Sequence, residues 1–165
     1  MTASATAWIG LGANLGEPRA QVLQALAALE AHESMCLLRR SSLYRTPPMG
    51  PPGQPDYINA VAGIATGLTP EALLEQLLTL EGRLGRQRQG ERWGPRVIDL
   101  DLLCYGNEQR HSDFLRLPHP GISERGFVLL PLAELAPGLV IPGHGRVRQL
   151  LDRLDVSDIE MIEAA

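Results

Sequence analysis

The sequence predicts an α+β fold, a mainly antiparallel sheet with helices packed on it, and three observations carry that expectation. Short apolar, β-branched runs precede and follow segments whose leucines recur at helical spacing. The composition, 44% hydrophobic and 21% charged over 165 residues, suits a single globular domain, 1–165, with a sizeable core. No internal repeat or low-complexity segment divides the chain into modules.

The first strand is expected over Ala5 to Leu11. A helix follows from Glu17 or Pro18 to Ala31, since proline suits a first helical turn, where its missing N–H is not needed. Met35 to Tyr44 reads as one strand and Tyr57 to Thr66 as another. Thr69-Pro70-Glu71 then opens a helix to about Leu84, with Thr69 as N-cap and Pro70 at the first helical position. Its apolar set is Leu73, Leu74, Leu77, Leu78 and Leu80. Val97 to Tyr105 is the next strand, ending in a turn at Gly106-Asn107. Helices near Phe127 to Leu135 and Val147 to Leu154 complete the order. The acidic tail from 155 to 165 is expected to form a short terminal helix or to fray.

Composition also excludes several functions. Met1 to Ala7 has neither a positive n-region nor an apolar h-region, and no later stretch approaches the roughly 18 apolar residues of a membrane span. A cytoplasmic monomer is expected. Cys36 and Cys104 lie in apolar, strand-like surroundings without C-x-x-C spacing, which predicts two free buried thiols and no metal site. All fifteen basic residues are arginine, so no P-loop, kinase-type or Schiff-base lysine exists. Phosphate handling therefore falls to Arg, whose planar fork donates paired hydrogen bonds and stays charged when partly desolvated. With a net charge of −4 and a third of the basic residues gathered in one segment, the broad positive face of a nucleic-acid binder is missing.

That segment runs from Arg83 to Arg96 and holds five arginines against Glu91. It leads into Arg96-Val97-Ile98-Asp99-Leu100-Asp101. On a strand, Asp99 and Asp101 point to the same face with Cα atoms about 6.6 Å apart, close enough to converge on one cation. Mg²⁺ characteristically takes one or two carboxylates from the protein and its other ligands from water and substrate phosphates. A lone Asp-x-Asp is ordinarily a turn or an exposed strand face, but here the pair interrupts an apolar run, where buried carboxylates need partners. Two loops flank this region. Thr46 to Asp56 holds five prolines and two glycines, and Gly82 to Pro95 four arginines and four glycines.

Read together, these stretches resemble the 6-hydroxymethyl-7,8-dihydropterin pyrophosphokinase family. The resemblance runs through Gly10-Leu11-Gly12-Ala13-Asn14-Leu15-Gly16, Ser42-Leu43-Tyr44-Arg45-Thr46-Pro47-Pro48 with Gly50, and Gln54-Pro55-Asp56-Tyr57-Ile58-Asn59-Ala60. It continues through Arg92 to Asp101, Pro118-His119-Pro120 and Glu124-Arg125-Gly126-Phe127-Val128-Leu129, spanning about residues 8 to 150. It implies a ferredoxin-like core, loops that close over the substrates, and transfer of pyrophosphate from ATP to a pterin alcohol in folate biosynthesis, with AMP released.

The resemblance also implies site residues. Asp99 and Asp101 would hold two Mg²⁺ ions, and Arg86 and Arg96 would neutralise charge developing on the phosphates. Thr46, Pro48, Met49, Tyr57, Asn59, Trp93 and Phe127 would form the pterin slot. Tyr57 and Asn59 share a strand face by spacing, and Asn offers both donors and an acceptor to a heterocycle rim. Glu81, Arg86, Arg88, Arg92, Ile98, His119 and Arg125 would lie near ATP. On their own, an Asn, two aromatics and a His beside prolines are ordinary structural residues, so these roles come from the resemblance. Pro120 and Leu78 depart from it, standing where some relatives carry an aromatic and a polar residue. The mechanism implied is in-line attack by the hydroxymethyl oxygen on the β-phosphorus. A silent nucleotide-binding module would bind ATP without turnover. An RNA-binding domain would stack bases on sheet aromatics, where this chain presents carboxylates.

Overall fold

The computed structural model describes residues 5–48, 53, 55–85 and 98–165. Its centre is a six-stranded sheet containing β1 (Ala5–Ala13), β2 (Cys36–Arg40), β3 (Leu43–Thr46), β4 (Tyr57–Thr66), β5 (Asp99–Tyr105) and β10 (Glu160–Glu163). The strand order is β10-β3-β4-β1-β5, with β2 beside β3 along β4, and every pairing is antiparallel. α1 (Pro18–Ala31) joins β1 to β2 and α2 (Pro70–Gly85) lies between β4 and β5 in the chain. The order strand, helix, two-part strand, strand, helix, strand is the ferredoxin-like arrangement the sequence predicts.

Both long helices form for the expected reasons. Pro18 occupies the first turn of α1, and Gln21, Val22, Ala25, Leu26 and Leu29 make one buried stripe. Thr69 Oγ1 accepts the Ala72 N–H at 3.1 Å, capping α2, whose Leu73, Leu77 and Leu80 are buried. Leu78 is 44% exposed, so the apolar face of α2 is narrower than the run of leucines suggests.

Three further expectations are corrected. Met35 to Tyr44 is two strands, broken at a buried serine pair. Ser41 N–H donates to Val61 O, but Val61 N–H turns to the Ser41 hydroxyl instead of a ladder carbonyl, and Ser42 N–H goes to Glu134. The last helix, α4 (Val147–Leu151), stops short of Leu154 because Arg153 and Leu154 donate to carbonyls three residues back and tighten the chain into a turn. The acidic tail is neither helix nor frayed. It forms β10 against β3, with Arg19 Nε on Glu163 Oε1 at 2.7 Å.

The sheet separates two cores. Ile9 and Leu11 of β1 join Ile58, Ala60, Ala62 and Ile64 of β4 and Leu100 and Leu102 of β5 beneath α1 and α2. On the opposite face Trp8, Val61, Leu103 and Cys104 pack against α3 (Gly126–Leu135) and α4. Gly63 belongs here because a Cβ would come within 2.7 Å of the Trp8 ring. Cys104 is buried as expected, whereas Cys36 is exposed, because among the described residues β2 pairs with β4 alone. Short hairpins of β6 (Arg110–His111) with β7 (Arg116–Leu117), and β8 (Val140–Ile141) with β9 (Gly145–Arg146), carry the chain around α3.

Glu134 pins the end of α3 to the sheet. Its carboxylate accepts from Ser42 N–H, the Ser42 hydroxyl at 2.8 Å and the Tyr44 hydroxyl at 2.6 Å. Burial and then this hydrogen bond push the Tyr44 phenol pKa upward.

Candidate active site

α3 and α4 cover only part of their face of the sheet. Over the rest lies a cavity of about 500 Å³, floored by β1, β4 and β5. Antiparallel register places Asn59 and Asp99 on either side of Gly12, and Val61 and Asp101 on either side of Gly10. The two glycines are what keep the floor low. A Cβ at Gly12 would lie 2.9 Å from Asn59 Oδ1, and one at Gly10 would press on Leu103 at 3.4 Å.

On β5 the half-buried Asp99 and Asp101 alternate with buried Leu100 and Leu102, so period two delivers both carboxylates to the cavity. Leu100 N–H donates to Glu81 Oε2 at 2.7 Å, tying the strand to α2 between the two aspartates. The opposite wall carries Thr46, Pro47 and Tyr57. Asn59 Nδ2 donates to Thr46 Oγ1 at 2.9 Å, which fixes the amide plane and leaves Oδ1 over Gly12. Asn14 Nδ2 donates to Pro55 O at 3.4 Å, joining the end of β1 to the approach to β4.

The third wall is the start of α3. Glu124, Arg125, Gly126, Phe127 and Val128 all border the cavity, and the Arg125 guanidinium lies 5.9 Å from the centroid of the Phe127 ring. The helix presents its positive, N-terminal end to this space. Asp155, Asp158 and Ile159 complete the rim. Hydrogen bonds from Ser157, the side chain first and the backbone N–H next, hold the Asp155 carboxyl below the ordinary carboxylate range.

Of the residues expected at the site, the structure brings Thr46, Tyr57, Asn59, Asp99, Asp101, Arg125 and Phe127 to one cavity. Glu81, Ile98, Pro48 and His119 are not part of the wall. Glu81 supports β5, and Ile98 is 3% exposed in the core under α1 and α2. His119 donates its backbone N–H to Leu103 O, and its Nδ1 is buried with no hydrogen-bond partner among the described residues. Met49, Arg86, Arg88, Arg92, Trp93 and Arg96 lie outside the described residues. Sequence reasoning missed Asp155, Asp158 and Ile159, because no periodicity or motif in the tail points toward a site.

The chemistry of this lining is unbalanced. Among the described residues its carboxylates are Asp99, Asp101, Glu124, Asp155 and Asp158, against one cation, Arg125. A polyphosphate would be repelled unless cations accompanied it. Among the described residues no three carboxylate, imidazole or thiol groups gather as a metal cage. Two carboxylates on one strand face are instead the donor set that suits Mg²⁺ sharing its coordination with phosphate and water.

Comparison with known proteins points to one family. The family profile for 7,8-dihydro-6-hydroxymethylpterin-pyrophosphokinase matches residues 8–137. A 2-amino-4-hydroxy-6-hydroxymethyldihydropteridine pyrophosphokinase from Methylorubrum extorquens is 48% identical over 157 residues, covering 95% of this chain and 98% of the relative. The protein of the same name from Haemophilus influenzae is 42% identical, covering 96% of this chain and 97% of the relative. Among solved structures, a Plasmodium falciparum HPPK-DHPS superposes with a TM-score of 0.70 at 13% identity, a likeness of fold. It covers 93% of this chain, which spans 46% of that one.

Proposed function

The chain belongs to the 7,8-dihydro-6-hydroxymethylpterin-pyrophosphokinase family of folate-biosynthesis enzymes, and from that premise we propose how its own residues move pyrophosphate from ATP to hydroxymethyldihydropterin. The observation that carries the proposal is the pairing, in one cavity, of the Asp99 and Asp101 carboxylates with the Asn59, Thr46, Tyr57 and Phe127 group across Gly12. One end suits a metal-bound polyphosphate and the other a flat heterocycle. The whole 1–165 chain acts as a single domain.

The pterin lies between Tyr57 and Phe127, with Asn59 reading its amide-like edge. Thr46 holds that amide in place, so the ring is presented in one orientation. Its 6-hydroxymethyl oxygen then points across Gly12 toward Asp99 and attacks the β-phosphorus in line, with AMP leaving. Two Mg²⁺ ions would be held by Asp99 and Asp101 and, when bound, supply charge neutralisation along the triphosphate. Arg125 and the α3 N-terminus favour phosphate from the third wall. His119 stands outside the cavity wall with its Nδ1 buried, so its assignment to the nucleotide side comes from the family resemblance. The family resemblance assigns Arg86, Arg88, Arg92 and Arg96 to ATP, Arg86 and Arg96 among them to the transferred group, and Met49, Pro48 and Trp93 to the pterin.

Incubation with ATP, Mg²⁺ and 6-hydroxymethyl-7,8-dihydropterin, followed by separation of the adenine nucleotides, tests the reading. Pterin-dependent AMP is expected. Pterin-dependent ADP would mean attack at the γ-phosphorus, and no product at all would refute the assignment.

A further inference from the structure

The eleven residues from Asp155 onward carry no recognisable motif, yet they run between two walls of the cavity. After α4 the chain turns at Val156 to Ile159, closed by the Ile159 N–H donating to Val156 O at 3.0 Å. One side of this turn meets bare backbone. A Cβ at Gly126 would lie 2.8 Å from Val156 Cγ1 and 3.2 Å from Ile159 Cδ1, so both side chains rest directly on the first residue of α3. On the other side the chain enters β10, whose Glu160 and Met161 pair with Arg45 and Tyr44 of β3. Thr46 is the next residue of that strand.

The start of α3 needs such a restraint. Its N-cap residue, Arg125, makes no side-chain capping hydrogen bond, and the first N–H groups of any helix lack intrahelical partners. Packing is therefore what holds the turn that carries Phe127. We propose that Val156 and Ile159 are positioning residues for substrate binding. They brace Gly126, fix the Phe127 ring, and tie its distance from the Thr46 wall to the β10–β3 pairing. This inference rests on the reading of the cavity as the pterin site.

The test is the double variant Val156→Ala/Ile159→Ala in the full chain. Loosening the ring that closes the slot should raise the pterin KM by about tenfold while kcat stays within about twofold. Ile159→Val, which keeps the contact, should restore a near-normal KM. Leu29→Ala, in the core on the other face, should lower the melting temperature and leave the pterin KM unchanged, separating positioning from general destabilisation. If the double variant does not fold, Gly126→Ala takes its place, since its methyl group would push the same two side chains away and raise the same KM. An unchanged pterin KM in the folded variant overturns the bracing role alone. Failure of the unaltered chain to make pterin-dependent AMP overturns the functional reading, and the bracing role with it.

Discussion

On the side of the sheet that meets α1 and α2, Ile9, Leu11, Leu100 and Leu102 are buried and pack with Leu26, Leu29, Leu73 and Leu77. The residues between them on the same strands face the other way, and there the floor is Gly10, Gly12, Asp99 and Asp101. Alternation along a strand makes this possible, since neighbours in sequence belong to opposite faces. The first face is filled to exclude water. The second is filled only where Trp8, Val61 and Leu103 meet α3 and α4, and glycine withholds the side chains that would fill the remainder. Core packing and the cavity floor thus draw on the same three strands through different residues, and substitutions on the two faces should separate cleanly.

The largest effect is expected at Asp99. Asp99→Ala removes half of the carboxylate pair and should lower turnover by about 10³-fold or more, by analogy with the loss of one preorganised electrostatic group. The circular-dichroism spectrum should remain that of the folded protein. A variant that keeps most of its activity would break the assignment of this face to catalysis. Leu29→Ala probes the other face. It should cost about 2–5 kcal/mol of unfolding free energy in denaturant melts, with the KM values of the remaining folded enzyme unaltered. A shifted pterin KM there would show that the faces are not independent.

Gly12→Ala sharpens the boundary between them. The added methyl would sit 2.9 Å from Asn59 Oδ1 and must displace the amide that Thr46 holds. Pterin KM should rise by about tenfold, with a smaller change in the KM for ATP. Equal changes in both would place the pterin edge somewhere other than Asn59.

Much of this division was legible in the sequence, for reasons tied to particular residues. Pro18 and Thr69-Pro70 mark helix starts by local chemistry, and Asp99 and Asp101 stand out because they interrupt an apolar strand. Thr46, Tyr57, Asn59, Arg125 and Phe127 are expected at the site only through family resemblance, since none is unusual by itself. What escaped depends on distant partners. The break at Ser41-Ser42 is set by Val61 and Glu134, which lies 92 residues beyond Ser42 in the chain. The tail becomes a strand only because β3 offers it an edge, and its place at the cavity follows from a glycine at 126 with room for Val156 and Ile159. Likewise the sequence around Cys36 looks like that of a buried strand, and only the sheet order reveals its exposure.

The two thiols offer the gentlest test of the same contrast. Cys36 is exposed on β2, while Cys104 is 3% exposed beneath α3, where burial pushes its pKa up to about 12. Native protein should therefore react with a single equivalent of an aromatic disulfide reagent, and with a second only after unfolding. Cys36→Ala should abolish the native reaction. The raised pKa also fixes the sign of a pH effect. Folding favours the neutral Cys104 thiol, so its contribution is complete below the unfolded-state pKa of about 8.5. It declines as pH rises from there toward the folded-state value, since the unfolded chain then loses its proton first. Between about pH 9 and about pH 11, the native chain should lose stability faster than Cys104→Ala does. Parallel curves, or labelling of both thiols in the native state, would mean that the packed half of this face admits water.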